Sequence, residues 1–200
     1  MKLLVALFLL AGLSVAQTAS KVSHVKINKI PADPKDVSTI GGMINAYYDV
    51  VSISKGQPRQ WDRDHTLYID DMRFVAMNVD KQGNPVPVIM SHQEFVDHSD
   101  PIMARGFYEK EIHRITERFG NIAHVWSTYE SRDTADGPVT ARGINSLELF
   151  WDGKRWWISN SIWDEERPDN PLPKEYLPSR VTGPIVCTKR SDLTGDFCTR

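Results

Sequence analysis

The chain has 200 residues, 24 Lys and Arg against 26 Asp and Glu, a formal charge of -2, and 40% apolar with 10% aromatic residues. That length and apolar share bury one ordinary core, so one domain is expected, with no internal repeat. Neutralising phosphates needs clustered Lys and Arg; with no basic run, the composition argues against nucleic acid as a partner.

Lys2 is the only charge ahead of an apolar run over residues 3–13, too short to span a bilayer and of the right length for the core of a secretory signal. The small residues Ser14, Val15 and Ala16 follow as a cleavage site. The expectation is a signal peptide over 1–16, a secreted or periplasmic chain, and no membrane attachment after cleavage. Residues 17–32 read as a polar leader.

At Asp33-Pro34-Lys35-Asp36 a helix begins: Asp33 caps it, Pro34 suits the first turn because its missing N–H needs no partner there, and Asp36 favours the positive end. Val37, Ile40, Ile44, Tyr47, Tyr48 and Val51 form one apolar stripe at helical spacing, running to about Ser54, with Gly56 as a stop. Residues 58–64 read as a short second helix holding Trp61, and 67–79 as extended chain with a turn near Asp70-Asp71. Gly83-Asn84-Pro85 is a turn and 86–90 a short strand. Ser91 and Glu94 form a capping box that starts a helix running to about Ala104 and burying Phe95, Ser99 and Ile102.

From Phe107 to Trp163 the period changes to that of four long strands, broken at Gly120-Asn121, at 133–138 and at Asp152-Gly153. Helices followed by an antiparallel meander make an α+β fold, a domain over 33–164. Residues 165–200 are a Pro-rich tail. The chain's two cysteines, Cys187 and Cys198, lie close together there; in an oxidising compartment they are expected to form a disulfide, and with no His nearby they make no zinc site.

Strand alternation sorts the side chains of the meander into two faces. A two-residue turn at Asp152-Gly153 opposes Leu149 to Trp156, Leu147 to Ile158 and Asn145 to Asn160. Centring the preceding loop pairs Ala123 with Leu149, Val125 with Leu147 and Ser127 with Asn145, and this register also opposes Glu130 to Arg142. One face then carries Ala123, Val125, Ser127, Tyr129, Gly143, Asn145, Leu147, Leu149, Trp156, Ile158, Asn160 and Ile162. It is aliphatic, with a polar row of Ser127, Asn145 and Asn160 that needs partners from itself, water or a ligand. The other face collects His124, Trp126, Arg142, Arg155, Trp157 and Trp163; aromatics mixed with Arg predict a homodimer interface through Trp126, Trp157 and Trp163. On the strand from 107 to 119, Ile112 and Ile115 break strict alternation, which predicts a bulge and puts either His113 or Arg114 into the polar row.

This order of elements, with the segments Phe119-Gly120-Asn121-Ile122-Ala123 and Trp151-Asp152-Gly153-Lys154-Arg155-Trp156, resembles the nuclear transport factor 2-like superfamily, in its SnoaL-like branch. The resemblance covers about 33–163. It implies a cone, with a curved antiparallel sheet wrapped around the N-terminal helices in the cystatin-like manner and a pocket on the concave face. The superfamily includes ketosteroid isomerases, scytalone dehydratases and polyketide cyclases beside members that only bind small molecules or dimerise. By that resemblance Tyr47 stands where the isomerases carry a helix Tyr, with Asp70 or Asp71 near the place of the base; no inward acid matches the third partner. Tyr48-Asp49 resembles the dehydratase Tyr-Asp pair, with His113 or His98 and Asn145 as its deeper partners.

The leading expectation is therefore an exported homodimer that binds a small, partly apolar molecule at Tyr47, Ser127, Tyr129, Asn145, Trp156 and Asn160, with His98 or His113 near the mouth. The enzyme alternative uses the same pocket without a cofactor, for isomerase, dehydratase or cyclase chemistry, with His113, His98, Asp70 and Tyr47 as candidate catalytic residues. A third reading is a dimeric interaction module with a vestigial pocket. His92 and His98 lie six apart in one helix, about 120° out of alignment, so no metal is expected.

Overall fold

A computed structural model describes residues 24–179, together with the backbone of 186–189 and 196–199. The signal peptide expected over 1–16 lies outside the described residues. Four helices, α1 (Pro34–Val37), α2 (Ile40–Val51), α3 (Trp61–His65) and α4 (His92–Met103), lie on one side of a six-stranded sheet. Its strands are β1 (Tyr68–Val79), β2 (Pro85–Met90), β3 (Tyr108–Phe119), β4 (Ile122–Arg132), β5 (Ala141–Trp151) and β6 (Trp156–Glu165), in the order β2-β1-β6-β5-β4-β3. Every ladder is antiparallel except β1 with β6, where the helical crossover returns the chain parallel.

The first helix expected from the sequence is two. Thr39, in extended backbone, accepts a hydrogen bond from the Gly42 amide at 2.9 Å and starts α2 afresh. The break brings α2 onto α1 so closely that a Cβ at Gly42 would lie 2.3 Å from the Lys35 carbonyl oxygen. Arg63 of α3 ties the pair together, donating to both oxygens of buried Asp36 at 2.8 and 3.0 Å and also to Asp49. On α4 the capping box is present in full, Ser91 Oγ accepting from the Glu94 amide and Glu94 accepting from the Ser91 amide at 2.7 Å. The helix buries Val96, Ser99 and Met103; Phe95 packs on the core edge, and Ile102, expected inside, is exposed. β1 runs on through Asp70-Asp71 without the expected turn, absorbing it as an irregular pairing between Tyr68 and Arg73.

The β4–β5 register agrees residue for residue with the expectation: Ala123 faces Leu149, Ser127 faces Asn145 and Glu130 faces Arg142. The β5–β6 register does not. Asp152 Oδ1 accepts from the amides of Lys154 and Arg155, both at 2.8 Å, and Gly153 has φ 96°, so the loop takes four residues and Trp151 faces Trp156. Ser159 is then an extra residue, since Leu149 faces Ile158 but Glu148 faces Asn160. One inserted residue reverses the parity of all that follows. Asn160 and Ile162 turn to the outer face, while Ser161 and Trp163 turn in, which corrects two expected inner positions and two expected outer ones. On β3 the expected bulge lies between Glu111 and His113; Arg114 then faces Ser127 on the inner side and His113 faces Thr128 on the outer.

Of the expected dimer face, Trp163 is thus inside, at 6.3 Å from Phe95 and 6.4 Å from Phe74 between ring centroids. Trp126 lies under Tyr176, 5.7 Å away, where the tail forms a single 3-10 turn (Lys174–Tyr176) and the Tyr176 carbonyl accepts from buried Thr128. Trp157 stays on the outer face beneath the Arg155 guanidinium. The described part of the leader is a strap: Asp97 accepts from the Val25 amide at 2.7 Å and Asp62 from the Asn28 amide at 2.7 Å, with Val25 and Ile27 against the core. In the tail, β7 (Val186–Lys189) pairs with β8 (Asp196–Thr199) and sets Cys187 opposite Cys198.

Replacing Ser91 by Ala removes one half of the α4 capping box. Urea unfolding is expected to show a loss of about 1 kcal/mol with an unchanged dependence on denaturant.

Candidate functional site

The helices do not fill the concave side of the sheet. Between α2, α4 and the wide ends of β1–β6 lies a cavity of about 450 Å³. Its outer part is apolar, walled by Phe74, Met90, Phe95, Ile102, Met103 and Trp163; its inner part is polar, with Tyr47, Glu109, Tyr129, Ser131, Asn145 and Glu165.

The polar row expected across the sheet is present with Ser161 in the place of Asn160, and α2 binds it. Tyr47 hydroxyl lies 3.0 Å from Ser161 Oγ and 3.4 Å from Asn145 Oδ1. Asn145 Nδ2 donates to the Tyr48 hydroxyl at 3.0 Å, Tyr48 to Ser127 Oγ at 2.7 Å, and Ser127 to Glu111 Oε1 at 2.6 Å. The run ends at a bidentate pair in which Arg114 donates to both Glu111 oxygens, at 2.7 and 2.6 Å. Every donor in this chain has an acceptor, and each hydroxyl is aligned by the next. Burial, followed by the charge of Glu109, holds the Tyr47 and Tyr48 hydroxyls protonated well above the ordinary range of a phenol.

Two groups at the polar end stand outside that chain. Glu109, at the start of β3, accepts from Ser131 Oγ at 3.1 Å; burial pushes its carboxyl up to about 7, and the Glu165 charge adds to the effect. Tyr129 is 3% exposed, yet its hydroxyl has no hydrogen-bond partner among the described residues. It lies over Gly143, where a Cβ would come within 2.6 Å of the hydroxyl oxygen and 2.5 Å of the Asp164 carbonyl, so that position admits no side chain. Glu109, Tyr129, Gly143 and Glu165 form one row on the inner face: Tyr129 faces Gly143, Gly143 faces Glu165, and Glu109 lies one inner position along from the Tyr129 level.

Among the expected ligand-binding residues, Tyr47, Tyr129 and Asn145 line the cavity. Ser127 is buried behind Tyr48, Trp156 packs on Trp151 and under Arg118 at the closed end of the sheet, and Asn160 is on the outer face. Among the candidate catalytic residues, His98 is at the exposed mouth and His113 is on the outer face. Asp70 is 82% exposed, 3.7 Å from Lys29, away from the cavity, and Asp49 is bound to Arg63 rather than aimed inward beside Tyr48. Glu109 escaped the sequence reading because the strand that carries it could not be registered; alternation counted back from an inward Arg114 across the bulge would have found it. Under the cavity floor, buried Asp64 lies 2.7 Å from His92 Nε2 and accepts from the Tyr68 hydroxyl at 3.1 Å, joining α3, α4 and β1.

Neither a family model nor a curated protein matches the chain. Solved structures do. A protein of unknown function with a cystatin-like fold from Nostoc punctiforme is 12% identical over 67% of this chain and 92% of its own, with a TM-score of 0.49. Its cystatin-like fold is what this chain is similar to. Two proteins of unknown function described as nuclear transport factor 2-like, from Silicibacter pomeroyi and Shewanella baltica, are each 11% identical over 64% of this chain, with TM-scores of 0.44 and 0.42, and this chain covers 94% and 91% of them. At such identities the likeness is one of fold, and the chemistry of the cone must come from its own residues.

Two outcomes are expected. Gly143→Ala lowers stability by about 1–3 kcal/mol through the clash with Tyr129, and Gly143→Ala with Tyr129→Phe recovers part of it, read by urea unfolding. Because Glu109 keeps its proton to about pH 7 when folded and to about 4.5 when not, its contribution to stability is present below pH 4.5 and lost as pH rises through 7. Glu109→Gln is expected to flatten that slope of the stability profile, which amounts to about 3 kcal/mol at most.

Proposed function

We propose that the protein binds a small, partly apolar organic molecule in the cone, its body among Phe74, Phe95 and Trp163 and its polar end at Glu109, Tyr129 and Asn145. The observation that carries this reading is the Tyr129 hydroxyl, on a residue 3% exposed, open to the cavity and without a hydrogen-bond partner among the described residues, while the neighbouring Tyr47 and Ser131 hydroxyls are engaged. A hydroxyl that opens to the cavity and has no protein partner is available to a ligand atom at the polar end. Placement in the SnoaL-like branch and export belong to the same proposal, resting on the segments around Gly120 and Gly153 and on the apolar run at 3–13. For an exported chain, N-terminal sequencing of the secreted protein is expected to begin at Gln17.

The test is fluorescence titration with 2-naphthol. Saturable binding is expected, weakened by about five- to tenfold in Tyr129→Phe, the worth of one hydrogen bond, and more in Phe95→Ala. Equal affinities for both variants and the native chain would reject the site.

A second reading, favoured by Glu109, is cofactor-independent proton transfer. A carboxyl poised near neutral pH takes a proton from carbon beside a carbonyl and returns it elsewhere on the same molecule, while the Tyr129 hydroxyl donates to the carbonyl oxygen as charge builds there. Deuterium uptake by enolisable ketones in heavy water, abolished in Glu109→Gln, is the expected sign; uptake equal to that of buffer ends this reading and leaves binding.

A further inference from the structure

We propose that the ligand of the cone is an organic cation, a protonated amine on an apolar body, with its ammonium between Glu109 and Glu165 and its body against Phe74, Phe95 and Trp163. This deepens the cavity reading and rests on it.

The charges around the cavity are of one sign. Glu109, Asp133 and Glu165 line it, and no Lys or Arg does; the single His, His98, is exposed at the mouth. None of these three carboxylates is in a salt bridge among the described residues. Acids beside them in sequence are paired: Glu111 with Arg114, Glu130 with Arg132, Asp164 with Arg167 and Glu166 with Arg142. Arg132, Arg142 and Arg167, close to the cavity rim in sequence, are thereby held by other acids. The fold supplies a counter-charge to the acids around the site and withholds it from those within.

A second, independent observation is the hydroxyl of Tyr129, a residue 3% exposed, which has no hydrogen-bond partner among the described residues and lies in the same row as Gly143 and Glu165. An ammonium has three donors and no acceptor, and this corner offers acceptors: the Glu109 and Glu165 carboxylates and the Tyr129 oxygen. Beyond it stand aromatic faces, Phe74 and Phe95 stacked at 4.2 Å with Trp163 edge-on to both, and desolvated rings attract a cation. An anion would meet three carboxylates, and a neutral ligand would leave the charge of Glu109 and Glu165 unrelieved.

The charge also predicts the pH dependence. Glu109 is faced by Tyr47 and Tyr48 from α2, Tyr68 from β1, Tyr129 from β4 and Glu165 from β6, with Asp133 and His98 at the rim. Burial and Glu165 favour its protonated form, and a bound ammonium favours the ionised one. Amine affinity is therefore expected to rise as pH rises toward 7, by at most about tenfold per pH unit, and then to level off while the amine stays protonated.

The experiment is calorimetric titration of the full chain with 2-phenylethylamine, 2-phenylethanol and phenylacetate at pH 6 and pH 8, beside the 2-naphthol titration. The amine is expected to bind at least tenfold tighter than the alcohol at pH 8, with the gap narrowing at pH 6, and phenylacetate more weakly than either. Glu109→Gln is expected to remove both the preference and its pH dependence. Glu165→Gln, at an exposed position that the core does not need, is expected to weaken the amine several-fold and leave the alcohol unchanged. If alcohol or acid binds as tightly as the amine, or 2-naphthol binds and the amine does not, the cation inference is overturned and the cavity reading stands. If neither these compounds nor 2-naphthol bind, both are overturned.

Discussion

A strand can turn only every second residue toward the helices it supports, and everything on the inner face of this sheet depends on where that alternation is broken. Two single-residue insertions break it, Ile112 in β3 and Ser159 in β6. Upstream of Ile112 the inner positions are Glu109 and Glu111; downstream they are Arg114, Thr116 and Arg118. Without the insertion, Glu111 and Arg114 would lie on opposite faces and their bidentate pair could not form. Upstream of Ser159 the inner residues are Trp156 and Ile158, which close the core; downstream they are Ser161, Trp163 and Glu165, which open it. The bulges therefore mark the boundary between a packed end and a hollow end of one sheet.

That boundary is held by a hydrogen-bond chain rather than by apolar contact. Tyr47 and Tyr48 carry α2 onto the middle of β4, β5 and β6 through Ser161, Asn145 and Ser127, and the chain ends on the Glu111–Arg114 pair. A buried network of this kind contributes only when complete, since each orphaned member would cost the full desolvation of its group. Here it is complete. It fixes the depth of α2 above the sheet, and so the height of the cavity beyond it.

The cavity inherits its character from what is left over. The hydroxyl of Tyr129 finds no partner, and the carboxyl of Glu109 keeps its proton to about pH 7 because it is buried and faces Glu165. The arginines of the neighbouring strand ends are spent on other acids. A site with unrelieved negative charge, a free Tyr129 hydroxyl and aromatic walls selects by charge as well as by shape, and the amine proposal follows from that asymmetry.

Much of this was legible in the chain itself. The capping box at Ser91, the Asp33-Pro34 helix start, the β4–β5 register and the bulge in β3 are local matters: a cap needs a side chain within three residues, and alternation across one loop needs no distant information. The inner placement of Tyr47, Tyr129 and Asn145 follows from the same rules. What local rules could not give was parity beyond a loop of unknown length. The Asp152 side chain holds the β5–β6 loop at four residues, and Ser159 bulges where β6 meets β1 and β5 together, so Asn160 and Trp163 change faces. Nor could they give partners separated by 79 to 114 residues, as in the bonds of Tyr48 to Ser127 and Tyr47 to Ser161. The sequence by itself determined the α+β order, the helix ends and the aliphatic face, because each depends on neighbours along the chain. Only the tertiary structure decided that Glu109 belongs to the site while Asp70 and His113 do not, because membership depends on which strands lie side by side and on which face the inserted residues leave each side chain.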